Sequence, residues 1–306
     1  MSLIFFGTPS FAVPSLNALI GSGEDIALVV TQPDRVKGRG HMLSAPPVKE
    51  LALSKHIPVA QPAGIRGDDF LRELAGLKPE FIIVVAYGRM LPEGILNLPE
   101  CGCINIHGSL LPKYRGAAPI QWALLKGERV TGVTTMLIDM GLDTGDILLR
   151  KEMEIRDDDN TETLFNRLSE LGALALVETL AGLRSGTVRP GPQTGEPSYA
   201  PPLKKEDGRI DWHRPSEELF NFIRGMYPWP GAFCFYDGQR IKITRARSAE
   251  GAGVPGKIEM HGGDLAVGTG RGLLFIDELQ PEGRKAMPGR AFIAGRRIGG
   301  KDEKFS

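Results

Sequence analysis

The sequence predicts an α/β fold in two domains: a doubly wound, mostly parallel sheet followed by a smaller antiparallel β-barrel. Three observations carry this reading. Short apolar runs alternate with helical stretches through residue 186, as βαβ units require. One of those runs, "FIIVVAY", has no polar alternation, the pattern of a strand buried on both faces near a sheet centre. Beyond residue 208 short alternating segments and closely spaced turn signals take over.

In chain order, "LIFFG" reads as a strand and "PSLNALIGSG" as an amphipathic helix. "IALVVTQ", "IPVAQ" and "FIIVVAYG" read as further strands, separated by the helical "PPVKELALSKH" and "DDFLRELAGL". "CGCINIH" and "GVTTMLI" continue the strands around the helical "APIQWALLKGE", and "TLFNRLSELGALALVETLAGLRSG" closes the domain as a long helix. The acidic run "DDDN" at 157–160 supplies a cap and negative charge to that helix's start. These elements place a first domain at 1–186. Residues 187–208 hold five prolines without hydrophobic periodicity and read as an extended linker. The second domain, 209–306, contains a helix within "IDWHRPSEELFNFIRGM" and a turn at Asp237-Gly238.

Composition limits the function. With 37 Lys+Arg against 37 Asp+Glu, the 306-residue chain has no overall basic excess, although residues 204–306 carry 18 Lys/Arg against 14 Asp/Glu. That modest tilt is compatible with a polyanionic partner. No stretch approaches the roughly 20 apolar residues of a membrane span, and the N-terminus has no basic leader with a full apolar region, so the cytoplasm is expected. Three cysteines, Cys101, Cys103 and Cys234, suit a reducing compartment. Cys101, Cys103 and His107 suggest zinc only weakly, because no second cluster completes four ligands.

The chemistry concentrates in "INIHGSLLPKYRGAAPIQ", residues 104–121. Period two puts Ile104 and Ile106 on one face of the strand and Asn105 and His107 on the other, with Cα atoms about 6 to 7 Å apart. Gly108 permits a sharp exit at a strand's carboxyl end, where open α/β sheets bind ligands. Taken alone, the pair reads equally well as a loop tie. "DMGLDTGD", after another strand, adds Asp139, Asp143 and Asp146; an aspartate beside His107 would orient the ring and stabilise its charged form. Amide, imidazole and carboxylate together suit oxyanion stabilisation and proton transfer. Ser109 as a nucleophile fits poorly, since "HGSLL" is not a G-x-S-x-G elbow and His107 lies two residues away. "FGTPSF" lacks both glycine-rich phosphate patterns and reads as a strand-to-helix turn.

"NIHGSLLPKYRGAAPI" and "GLDTGDIL", supported by "FGTPSFA", "TQPDRVKGRG" and "VVAYG", resemble the 10-formyltetrahydrofolate-dependent formyltransferases. "RIDW", "YPWPGAF" and "LQPEGRKAM" extend the resemblance over nearly the whole chain. It implies a Rossmann-like formyltransferase domain with an OB-like barrel, acting as a monomer without metal. It also implies 10-formyltetrahydrofolate as formyl donor and the α-amine of initiator methionyl-tRNA as acceptor. By the same resemblance Asn105, His107 and Asp143 match the catalytic trio, and Ser109, Leu110, Leu111 and Pro112 match a loop that contacts the folate. Arg35, Lys37 and Arg39 match a loop that approaches the tRNA acceptor arm, although such a basic run is ordinarily a solvated surface loop. The trio specifies formyl transfer and not the acceptor, so a sugar-nucleotide amine formyltransferase and a formyl-folate hydrolase remain alternatives. An RNA-binding protein without catalysis would have no use for the trio.

Overall fold

A computed structural model describes residues 2–37, 42–296 and 303–306. In chain order, its first elements are β1 (Ser2–Gly7), α1 (Val13–Gly21), β2 (Asp25–Val30), the hairpin strands β3 (Arg35–Lys37) and β4 (Met42–Ser44), α2 (Pro47–Ser54), β5 (Val59–Ala60), α3 (Asp68–Gly76) and β6 (Phe81–Val85). They continue with α4 (Glu93–Leu96), β7 (Cys103–His107), α5 (Pro119–Leu125), β8 (Val130–Leu137), β9 (Ile147–Glu154) and α6 (Thr161–Ser185). The chain forms two compact units. The first comprises Met1–Gly116, Val130–Glu154 and Phe165–Tyr199; the second comprises Ala117–Arg129, Ile155–Leu164 and Ala200–Ser306.

The first unit is built on a seven-stranded sheet of order β5-β2-β1-β6-β7-β8-β9. The pairs from β5 to β7 are parallel. The chain moves outward from β1 to β5, then returns to β6 on the other side of β1, so the winding reverses between β1 and β6. β6 is buried along its whole length, as its unbroken apolar sequence predicts. On one face, Ile4, Phe6, Ile82 and Val84 pack with Leu74 of α3 and Ile95 of α4. On the other, Gly172 lets α6 approach β7 so closely that an added Cβ would lie 3.0 Å from the Ile106 side chain. There Thr135 of β8 and Thr179 of α6 share a buried hydrogen bond of 2.7 Å.

Two features depart from the sequence reading. β8 runs antiparallel to β7, with His107 opposite Thr134 and Ile104 opposite Leu137. β9 has no counterpart among the predicted strands: "ILLRKEME" carries four charged residues, and its exposure alternates from Leu149 onward, as suits a strand at the sheet edge, where side chains reach water. At the amino ends of β2 and β6, Arg184 near the end of α6 donates to both carboxylate oxygens of Glu24 (2.7 and 2.9 Å) and of Glu80 (3.0 and 2.8 Å). The positive charge also suits a helix carboxyl end.

In the second unit the capping reading of "DDDN" holds: Asn160 Oδ1 accepts from the Glu162 and Thr163 amides at 2.9 and 3.0 Å. Its later elements are α7 (Ser216–Met226), β10 (Ala232–Tyr236), β11 (Gln239–Ala249), β12 (Ile258–His261), β13 (Asp264–Gly268), β14 (Leu273–Pro281), β15 (Met287–Pro288) and α8 (Gly289–Arg296). The strands make an antiparallel sheet of order β10-β11-β14-β13-β12, with β15 beside β14. Residues 303–306 join its two ends. Ser306 exchanges backbone hydrogen bonds with Phe235 of β10, while the Ile258 amide donates to Glu303 and the Phe305 amide to Gly256. This closure produces the barrel that the turn spacing predicts. Leu219, Phe222, Ile223 and Met226, spaced at three and four residues, are the buried stripe of α7 in its core.

Candidate active site

β7 presents Asn105 and His107 on the face opposite Ile106, as period two predicts. Ile104 and Ile106 are buried, and Asn105 is half-buried beside Val84 of β6. Among the described residues no protein group bonds the Asn105 carboxamide. His107 is 5% exposed and engaged at both ring nitrogens. Nε2 lies 2.9 Å from the Tyr114 carbonyl oxygen, which can only accept, so Nε2 carries the hydrogen. Nδ1 faces Asp143 Oδ2 at 3.6 Å, longer than a normal hydrogen bond.

Of the three aspartates in the downstream loop, Asp143 is the one paired with His107. Asp139 instead closes the loop on itself, accepting from Thr144 Oγ1 and the Gly141 amide. Because β8 is antiparallel, its carboxyl end lies level with the start of β7, so this loop must run back toward the end of β7 to bring Asp143 to His107. Gly145 allows that path, since a Cβ there would overlap the Leu137 carbonyl oxygen. Asp143 adopts a φ of +53°, and its Oδ2 accepts the Gly116 amide at 2.8 Å.

The loop after β7 is built by its own polar groups. Ser109 is buried, and its hydroxyl donates to the Lys113 carbonyl at 2.6 Å, so it holds the loop closed rather than facing His107 as a nucleophile. Thr134 of β8 donates to the Ser109 carbonyl at 2.7 Å and accepts from the Leu111 amide at 3.1 Å. Leu111 is 1% exposed and belongs to the core. Leu110 lies partly exposed across Gly132, where any Cβ would collide with it and with the Lys151 carbonyl. The Leu111-Pro112 peptide is cis.

Residues that sequence reasoning assigned to a linker complete this arrangement. The Ser198 hydroxyl accepts the Tyr114 amide at 2.9 Å, and the Ser198 carbonyl accepts the Arg115 amide at 2.8 Å. Gln193 Nε2 donates to the carbonyls of Asp143 and Gly145 at 2.8 and 2.9 Å, and its Oε1 accepts from Arg115. Nothing periodic in 187–208 signals these contacts. The basic segment is partly described: Arg35 is exposed, whereas Arg39 and the side chain of Lys37 lie outside the described residues. Its base is anchored by Asp34, whose carboxyl the Lys49 hydrogen bond holds below the usual carboxylate range, assisted by Gln61. Cys103 is buried, and burial pushes its thiol up to about 12. Among the described residues no group of three or more His, Cys, Asp or Glu is placed to hold a metal, and no helix is long and apolar enough to cross a membrane.

Residues 1–180 match the family described as formyl transferase, and residues 202–297 match its C-terminal domain. The chain belongs to the formyl transferase family. Among relatives, the methionyl-tRNA formyltransferase of Thermodesulfovibrio yellowstonii is 55% identical over 304 residues, covering 99% of both chains. Two solved structures share the formyl transferase fold at lower identity. An N-formyltransferase from Helicobacter canadensis, in complex with folinic acid and dTDP-3-aminofucose, is 20% identical with a TM-score of 0.68, covering 90% of this chain and 97% of that one. HypX from Aquifex aeolicus, in complex with tetrahydrofolic acid, is 19% identical with a TM-score of 0.64. The match covers 100% of this chain but spans only half the length of HypX, 50%.

Proposed function

We propose that this formyl transferase moves the formyl group of 10-formyltetrahydrofolate to the α-amine of initiator methionyl-tRNA, as a cytoplasmic monomer. The observation that carries the reading is the full-length, 55% identity to a methionyl-tRNA formyltransferase. A folate donor draws further support from the tetrahydrofolic and folinic acids bound to relatives of the same fold. The donor set suits that substrate. A carboxamide N–H with no partner among the described residues and a ring N–H are hydrogen-bond donors for a formyl oxygen, and partly exposed Leu110 is an apolar surface for a flat ring.

In this reading Asn105 and Nδ1–H of a charged His107 stabilise the negative charge that develops on the formyl oxygen as the amine attacks. Nε2–H is unavailable for this, because it already donates to Tyr114. Asp143, 3.6 Å from Nδ1, is the counter-charge and takes the amine proton directly or through water; collapse of the tetrahedral intermediate then breaks the bond between the formyl carbon and N10, and the folate leaves as tetrahydrofolate with that proton on N10. Ser109, Leu110, Leu111 and Pro112 form the folate-contacting loop; Leu110 contributes side-chain surface while Ser109 and Leu111 fix its shape. The division of labour is a catalytic domain over 1–186, a connection over 187–208 and a tRNA-binding barrel over 209–306.

The test offers the purified protein labelled 10-formyltetrahydrofolate with either charged initiator tRNA or a nucleotide amino sugar. Label is expected on the methionyl-tRNA; label confined to the sugar would overturn the acceptor. Arg35, Lys37 and Arg39 are proposed to meet the acceptor arm through phosphate contacts. Lys37→Ala with Arg39→Ala is expected to weaken tRNA binding and reduce the slope of log affinity against log salt by about one to two. An unchanged slope removes the segment from the interface.

A further inference from the structure

We propose that Gln193 is a positioning residue for formyl transfer, acting through Asp143; the inference rests on the role proposed above for Asp143. Asp143 sits in the left-handed region, with φ +53°, where a side chain other than glycine's carries a conformational cost. Such a turn persists only where its surroundings hold it. The Gln193 amide caps two carbonyls of this turn, donating from Nε2 to Asp143 O at 2.8 Å and to Gly145 O at 2.9 Å. Its Oε1 accepts from Arg115 Nε at 3.1 Å and from an Arg115 terminal nitrogen at 2.6 Å.

The orientation of that amide is fixed by its neighbours. Rotating it by half a turn would aim its oxygen at two carbonyl oxygens and its NH2 at two guanidinium N–H groups, a repulsive arrangement on both sides. All four hydrogen-bonding positions of the side chain are therefore used. The guanidinium beside it belongs to the segment that also touches both members of the proposed proton-handling pair. Tyr114 accepts from His107 Nε2, and the Gly116 amide donates to Asp143 Oδ2 at 2.8 Å. Arg115, between them, links this segment to Gln193, and Gln193 links it to the backbone of the Asp143 turn. Ser198 clamps the same segment by accepting from the Tyr114 and Arg115 amides. Gln193 thus sets where the carboxylate stands relative to the imidazole without itself reaching the reacting groups.

The experiment measures steady-state formylation of methionyl-tRNA by 10-formyltetrahydrofolate in four full-length variants: Gln193→Ala, Gln193→Glu, Asp143→Asn, and Gln193→Ala combined with Asp143→Asn. Gln193→Ala is expected to lower kcat about 10- to 100-fold while both KM values stay within about threefold. The combined variant is expected to lose no more than Asp143→Asn alone, because both substitutions remove the same function. Gln193→Glu keeps the side-chain length and the Arg115 contact but turns an oxygen toward two carbonyls. It is expected to lose kcat similarly, and it carries the test if the alanine variant does not fold. Undiminished kcat in a folded Gln193 variant, with Asp143→Asn impaired, overturns the positioning role and leaves Asp143 standing. Additive losses in the combined variant also overturn it. Full activity of Asp143→Asn overturns the reading underneath.

Discussion

Asn105→Ala is expected to lower the turnover of methionyl-tRNA formylation by roughly 100-fold or more, with little change in thermal stability. The separation follows from the carboxamide's surroundings. Asn105 is half-buried on β7 and has no protein hydrogen-bond partner among the described residues, so its removal orphans no group in the folded state. In the reading proposed above, the substitution removes a donor to charge that exists only while the amine adds to the formyl carbon. His107→Ala is expected to reduce turnover at least as much, but it is a less clean test. That side chain is 5% exposed and donates to Tyr114, so its loss also opens a cavity and leaves a carbonyl without its partner. Kinetics of both variants with saturating tRNA decide the matter. Near-normal kcat in Asn105→Ala would mean that the oxyanion forms elsewhere.

Arg184→Met has the largest expected effect on stability, a loss of about 3 kcal/mol. The guanidinium serves two carboxylates at once, on side chains that are 14% exposed at Glu24 and 5% exposed at Glu80. Glu24 precedes β2 and Glu80 precedes β6, so the arginine ties the end of α6 to strands on either side of β1. Removing it leaves Glu80 as a charge with little access to water, and that desolvation is the dominant cost. By thermal unfolding the midpoint is expected to fall by roughly 6–10 °C. Arg184→Met combined with Glu80→Gln should recover part of the loss, because a neutral amide is easier to bury than an unpaired carboxylate. A shift of only a degree in the single variant, or no recovery in the double, would show that Glu80 is adequately solvated without its partner. Turnover at low temperature should be unaffected, since the arginine lies beside the amino ends of β2 and β6 and the candidate site follows the carboxyl end of β7.

The parallel strands were legible because burial on both faces leaves unbroken apolar runs such as "FIIVVAY", and the pairing of Asn105 with His107 followed from period two alone. The acidic run before α6 announced its own cap at Asn160. Three things were hidden. The direction of β8 relative to β7 is a property of pairing, and "GVTTMLI" reads the same either way. β9 tolerates the consecutive charges Arg150, Lys151 and Glu152 because it is an edge, and they weaken the apolar signal that marks a strand. Gln193 and Ser198 contact partners 48 to 84 residues away through one or two hydrogen bonds each, and such contacts impose no period on the surrounding sequence. Prolines there predict an extended path but carry no signal of what the path lies against.

Gln193 and Ser198 also bear on the order in which the site can assemble during synthesis. All seven strands of the main sheet have been made once Glu154 is added, and α6 ends at Ser185, yet the amide that caps the Asp143 turn arrives eight residues later and Ser198 thirteen. A growing chain can therefore bury its sheet while its carboxylate is still unbraced. With the role proposed for Gln193, competence for chemistry appears only as the connection toward the barrel emerges, and the first unit is completed by the residues that lead out of it.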